Sequence, residues 1–281
     1  MMSDLPLGAV IAFDFQAWDV SDEIALLAAA GVRRVQVYRN YVQGITAAAV
    51  RKTLDQAGLA ADSLHGCFQA DDLAGPLCDL SAADRGLREA SLDLMRLEAE
   101  FARVVGCRDI VVHPVGLGSK MTDGWRERAL AESGRGLDRL GREFGVRFLI
   151  ENMPPPYFGT DVRPLCRAVD ALASPHVGLA YDSGHAMLAG DPVGIVRFMG
   201  PRLWGVHLHD NRGREDDHLI PGTGVIPFED VARALAEVHY GGTFMIEVYR
   251  PTAEVRRDLT PGRLAFIDRL RRLASGQAPA P

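Results

Sequence analysis

The chain is poor in cysteine: Cys67, Cys78, Cys107 and Cys166 are spread over 281 residues with no CxxC spacing. That excludes a zinc knuckle and a disulfide framework and leaves reduced thiols as the simplest reading. No apolar run approaches the roughly 20 residues of a membrane span. The start, MMSDLPLGAVIAFDF, carries acids where a secretory signal needs bases, and it lacks a cleavable apolar core. Positive charge is in deficit, with 31 Lys and Arg against 37 Asp and Glu and a net charge of −6. A protein living on a phosphate backbone needs a basic surface, so the balance argues against nucleic acid as a partner. A cytoplasmic protein without a membrane partner is expected. The tail, residues 276–281, is small, Pro-rich and expected to fray.

What is present is alternation. Short β-branched runs at 8–15, 33–39, 59–66, 109–114, 146–152, 176–182, 202–210 and 242–249 read as strands. Amphipathic stretches lie between them. In SDEIALLAAAG, Ser21 is placed to cap the first turn, and REASLDLMRLEAEFARVVG ends at Gly106, as helices often do. Eight strands, each followed by a helix and without a long linker, predict a single (β/α)8 TIM barrel of parallel strands over residues 1–275. An open doubly wound sheet is the alternative. It would need a glycine-rich phosphate loop after the first strand, and FDFQAWD is nothing like one.

In such a barrel, functional residues belong at the C-terminal strand ends and in the loops beyond them. His65 and His113 end strands three and four, His185 follows strand six, His207 and His209 end strand seven, and His218 lies in the next loop. Only His176 and His239 fall near strand beginnings. Glu151, Asp182 and Glu247 end strands five, six and eight, and alternation turns Asp182 inward with the small Gly178 and Ala180. A lone strand-end histidine is ordinarily a hydrogen-bonded cap, and a lone inward glutamate is ordinarily ion-paired. Here six histidines and three acids converge on one rim with no matching set of inward Lys or Arg. A divalent cation answers that charge problem best.

The ordered landmarks LHGCF, VVHP, IENMP, YDSGH, VHLHDN, DDHLIPGTG and IEVY resemble the xylose-isomerase-like barrels, from about Val10 to Tyr249. That superfamily groups sugar isomerases and epimerases with apurinic endonucleases of the endonuclease IV type. The resemblance implies a shared metal site at Glu151, Asp182, His207 and Glu247. His207 is favoured over His209 because Asp210 stands three positions after it, which leaves His209 beside the ligands or in contact with substrate. Endonuclease IV-like members hold three zinc ions, and their extra ligand positions match His65, His113, His185, Asp216 and His218. One ion (manganese, zinc, magnesium or cobalt) is expected, and the extra donors leave room for up to three.

Two chemistries suit such a site. In the first, the ion chelates a sugar carbonyl and the neighbouring hydroxyl, and Glu151 and Glu247 remove and return a proton across an enediolate. His185, His209, Arg212 and Trp18 then contact the sugar or polyol. Arg212 and Arg214 read equally well as solvated loop charges. In the second, several zinc ions hydrolyse a phosphodiester. YDSGHAMLAGD is closer to the sugar-enzyme version, so isomerase or epimerase is preferred. A dehydratase acting on a keto-polyol such as an inosose uses the same enolate logic. Phe15, Trp18, Tyr38, Phe68 and Tyr157 serve as pocket wall or as ordinary core. ENMPPPYFG stiffens the loop after Glu151. Exposed barrel helices often pair, so a homo-oligomer is left open.

Overall fold

The computed structural model describes residues 4–13, 19–39, 44–66, 78–116 and 124–277. The strands are β1 (Leu7–Phe13), β2 (Arg34–Arg39), β3 (Ala60–His65), β4 (Asp109–Val112), β5 (Arg147–Glu151), β6 (Val177–Asp182), β7 (Leu203–His207) and β8 (Phe244–Ile246). All pair in parallel in the order β7-β6-β5-β4-β3-β2-β1-β8. The remaining seam closes just beyond β7. Leu208 N–H donates to Met245 O at 2.9 Å, and Glu247 N–H donates to Leu208 O at 3.1 Å. The chain is a single (β/α)8 barrel.

Ten α-helices are found among the described residues: α1 (Val20–Ala29), α2 (Ala47–Ala57), α3 (Arg85–Val105), α4 (Trp125–Phe144), α5 (Arg163–Leu172), α6 (Ser183–Leu188), α7 (Pro192–Met199), α8 (Phe228–Glu237), α9 (Thr252–Asp258) and α10 (Pro261–Ala274). The cap of α1 differs from the reading above. Asp19, not Ser21, is the N-cap, and its carboxylate accepts from the Ser21 and Asp22 N–H groups. An ionised oxygen at that place satisfies two orphan donors and meets the positive helix end, which a Ser21 hydroxyl inside the turn cannot do. Gly106 does end α3, at φ 95°, where a side chain would be strained.

The hydrophobic effect works on two unequal cores. The larger lies between strands and helices, with Val35, Val37, Ile110, Val112, Phe148, Ile150, Leu179 and Tyr181 facing outward from the barrel. The alternate residues face inward, and among the described residues Val111, Leu149 and Ala180 with the partly buried Trp204 form a small apolar cluster. Trp204 lies flat against Gly178, where a β-carbon would come within 2.4 Å of the ring. Two residues further along come Glu151 after Leu149 and Asp182 after Ala180, and His207 ends β7 beside them. The strands thus set a small apolar patch on the β4–β7 side beneath a polar mouth.

Candidate metal centre

Glu151, Asp182 and His207 are the last residues of β5, β6 and β7, and Glu247 follows β8 directly. One donor atom from each of the four falls within 4.8 Å of the others, and all four residues are buried. His207 Nδ1 stands 2.7 Å from Glu151 Oε1 and 3.3 Å from Glu247 Oε2, so carboxylates approach one ring nitrogen from two strands. The other Glu151 oxygen faces His113 Nε2 at 3.1 Å and His65 Nε2 at 3.9 Å.

His209 is directed elsewhere. Its Nε2 lies 2.9 and 3.1 Å from the two Asp182 oxygens, and its ring stacks on His218 with centroids 4.0 Å apart. Two further donor groups therefore flank the first: His65, Glu151 and His207 on one side, and His209, His218 and Glu247 on the other. Asp216 ties the second flank together, 3.2 Å from His185 Nε2 and 3.1 Å from His218 Nε2. Glu151, Asp182, Asp216 and Glu247 come to this mouth together with His65, His113, His185, His207, His209 and His218. Arg212 does not reach the cluster: its guanidinium is exposed and pairs with Asp217 at 2.9 Å. Tyr38 edges onto His65 at 5.5 Å and Tyr157 packs on the outer core. Trp18, Phe15 and Phe68 lie outside the described residues.

Backbone chemistry explains the placement. Asp182 caps α6, accepting from His185 N–H at 2.6 Å, which brings His185 onto the ligand face. Asn152, which sequence reasoning passed over, brackets β6. Its Oδ1 accepts from Asp182 N–H at 2.7 Å, its Nδ2 donates to Asp182 O at 3.1 Å, and its carbonyl meets His185 Nδ1 at 2.8 Å. In the sequence Asp210 is only a spacing mark after His207. Its buried carboxylate accepts from the N–H groups of Asn211, Gly222, Gly224 and Ile226 and so shapes the whole loop. Paired backbone bonds between Asp210 and Leu219 hold the neighbouring His218 at φ 46°, a region costly for a non-glycine residue. The one signal for these roles is that an amide or acid directly follows each ligand segment, in IEN and HLHD.

The charges are as crowded as the geometry. Burial pushes the Glu247 carboxyl well above its ordinary range, and Glu151, Asp182 and Asp216 push it further. Burial also works against ionised Glu151, but His207 and His113 outweigh it and hold that carboxyl well below normal. Burial disfavours protonated His185, yet Asp182 and Asp216 raise it to about 10. His65 goes the other way, lowered to about 3 by burial and by His113. His207 Nε2, His209 Nδ1 and Asp216 Oδ1 are buried without a hydrogen-bond partner. An excess of buried carboxylates with imidazoles close by is a donor set that could hold a divalent cation.

Comparison with known proteins agrees with this architecture. The family profile described as xylose isomerase-like TIM barrel matches residues 24–271. An uncharacterised protein of Methanocaldococcus jannaschii is 30% identical over 182 residues, 61% of this chain and 62% of that protein. An inosose dehydratase of Bacillus thuringiensis is 28% identical over 145 residues, 44% of this chain and 47% of the enzyme. The matches thus span less than two thirds of these relatives. Among solved structures, a D-tagatose 3-epimerase-like protein superposes with a TM-score of 0.73 at 20% identity, covering 92% of this chain and 98% of that one.

Proposed function

We propose that this chain, which belongs to the xylose isomerase-like TIM barrel family, is a divalent-metal-dependent sugar isomerase or epimerase that moves a proton beside a carbonyl. One observation carries the reading: Glu151, Asp182, His207 and Glu247 converge at the barrel mouth, with the two glutamates reaching His207 Nδ1 from different strands. These four residues would hold the ion. When bound, it polarises the substrate carbonyl and offsets the negative charge of the enediolate.

The protein's own groups supply the rest. Glu151 and Glu247 stand at the ends of β5 and directly beyond β8, so a substrate between them meets one carboxyl on each side. One takes the proton from carbon and the other returns it, which inverts the centre or shifts the carbonyl. His185, held by Asn152 and Asp216, and His209, against Asp182, would bond substrate oxygens. The likeness to a D-tagatose 3-epimerase-like fold supports the same class of small polyhydroxy substrate.

Two other readings rest on specific observations. The flanking donor groups have the chemistry for further ions, which favours a phosphodiester hydrolase of the endonuclease IV kind. The partial match to inosose dehydratase favours loss of water from a keto-polyol. Metal analysis of the purified protein combined with exchange in deuterium oxide separates them. We expect deuterium to enter the carbon beside the carbonyl of a ketose without net loss of water. Three zinc ions per chain, cleavage of an abasic-site duplex and no exchange on a broad ketose panel would overturn the proposal.

A further inference from the structure

We propose that the barrel interior beneath the donor cluster is a water-filled chamber, and that Gln36 and Ser63 position His207 through that water. The inference rests on His207 being a metal ligand, as proposed above. A cavity of about 370 Å³ occupies the lower barrel. Arg34 and Arg147, the first residues of β2 and β5, border it at the N-terminal face, and His207 borders it from above. Gln36 and Ser63 form part of its wall. Both are buried polar residues on inward strand positions where a barrel ordinarily packs branched apolar side chains.

Their hydrogen bonding is incomplete in a complementary way. Gln36 Nε2 donates to Ser63 Oγ at 3.0 Å, which leaves the Ser63 hydroxyl hydrogen to donate elsewhere. Gln36 Oε1 is a buried acceptor without a partner. His207 Nε2 is likewise buried without one, while its Nδ1 is turned to Glu151 and Glu247. A polar cavity of this size has room for roughly ten waters, and polar cavities are hydrated where apolar ones stay dry. For Nδ1 to offer a lone pair to a cation, Nε2 must carry the ring hydrogen, and that N–H needs an acceptor. Water relayed to Gln36 Oε1 provides it. Gln36 is thus a positioning residue that sets the tautomer and tilt of His207 from the opposite side of the barrel.

The test is calorimetric titration of the full chain with Mn2+ alone, for wild type, Gln36→Met, Gln36→Glu, Ser63→Ala and His207→Ala, with the melting temperature of each. We expect His207→Ala to abolish tight binding. Gln36→Met keeps the volume but removes the acceptor, and should weaken binding about 10- to 100-fold. Gln36→Glu keeps an acceptor oxygen and should restore affinity to within a few-fold of wild type. A merely structural role would lower the melting temperature of Gln36→Met and leave its Mn2+ affinity alone, and that result overturns the relay while His207→Ala still loses the ion. An equal loss in Gln36→Glu, or a crystal structure with a dry chamber, also overturns it. Should Gln36→Met fail to fold, wild-type affinity in Ser63→Ala does the same. Tight Mn2+ binding by His207→Ala instead removes the ligand assignment on which the inference stands.

Discussion

Gly184 and His209 are in direct contact: a β-carbon on Gly184 would stand 2.0 Å from Cε1 of the His209 ring. The first turn of α6 therefore needs glycine at this place so that the second histidine of HLHD can lie beside Asp182. Gly184→Ala should displace the imidazole and lower turnover at least tenfold, because shifts of about 1 Å at a catalytic centre are that costly. His209→Ala should likewise leave metal content nearly intact, since His207 and not His209 belongs to the four-residue donor group. Elemental analysis beside steady-state kinetics checks both, and loss of the ion from His209→Ala contradicts the assignment.

The carboxylate pair makes the strongest prediction about activity. Glu151→Gln and Glu247→Gln should each reduce turnover by about 10²- to 10⁴-fold, the usual worth of a positioned acid or base. Circular dichroism should remain that of the wild type, and single-turnover deuterium exchange should fall with turnover. A variant that still exchanges the substrate hydrogen at the wild-type rate would remove that glutamate from the proton path.

Metal uptake should be pH-dependent with a defined sign. Burial and the neighbouring carboxylates keep Glu247 protonated in the metal-free protein well above the ordinary carboxylate range. A cation displaces that proton, so binding should release protons and affinity should rise with pH. Calorimetry in two buffers of different ionisation enthalpy measures the release. Glu247→Gln should reduce both the proton release and the affinity.

Glu23 provides a stability test far from the mouth. Its carboxylate accepts Ala12 N–H at 2.9 Å, tying α1 to the end of β1. Burial raises the group from 4.5 to about 7. Between these values the folded chain holds a proton that the unfolded chain has released. Stability from this group is therefore complete below pH 4.5 and lost as pH rises through 7. Glu23→Gln keeps an acceptor and cannot ionise, so it should stabilise the protein by roughly 2 kcal/mol at pH 8 and by little at pH 4. Denaturant midpoints at the two pH values measure the difference.

Asp210 should matter for the loop and not for the ion directly. Asp210→Ala leaves four backbone N–H groups without their shared acceptor. Unpaired donors of this kind cost about 1–3 kcal/mol. The loop carrying Asp216 and His218 should become protease-sensitive, while metal held by Glu151, Asp182, His207 and Glu247 is retained.

The sequence by itself was enough for the barrel and for the strand ends at which its acids and histidines stand. β-branched runs, alternating inward positions and helix stops are local signals, and the acids and histidines recur where each run ends. His65, Glu151, Asp182 and His207 do end their strands, and His113 and Glu247 follow theirs directly. Tertiary structure decided what those residues meet. Only the packing of β5, β6 and β7 brings His207 to Glu151 and, just beyond β7, sends His209 to Asp182, although strand alternation assigns both histidines one face. Arg212, free to be a substrate clamp in the sequence, is drawn to Asp217 in its own loop. Asp210 changes from a spacing mark to the acceptor that gathers four N–H groups, three of them 12 to 16 residues further on. The physical reason is common to all three. Periodicity tells which face a side chain takes, whereas hydrogen-bond partners depend on strand register and loop path, and those are settled only when distant segments pack.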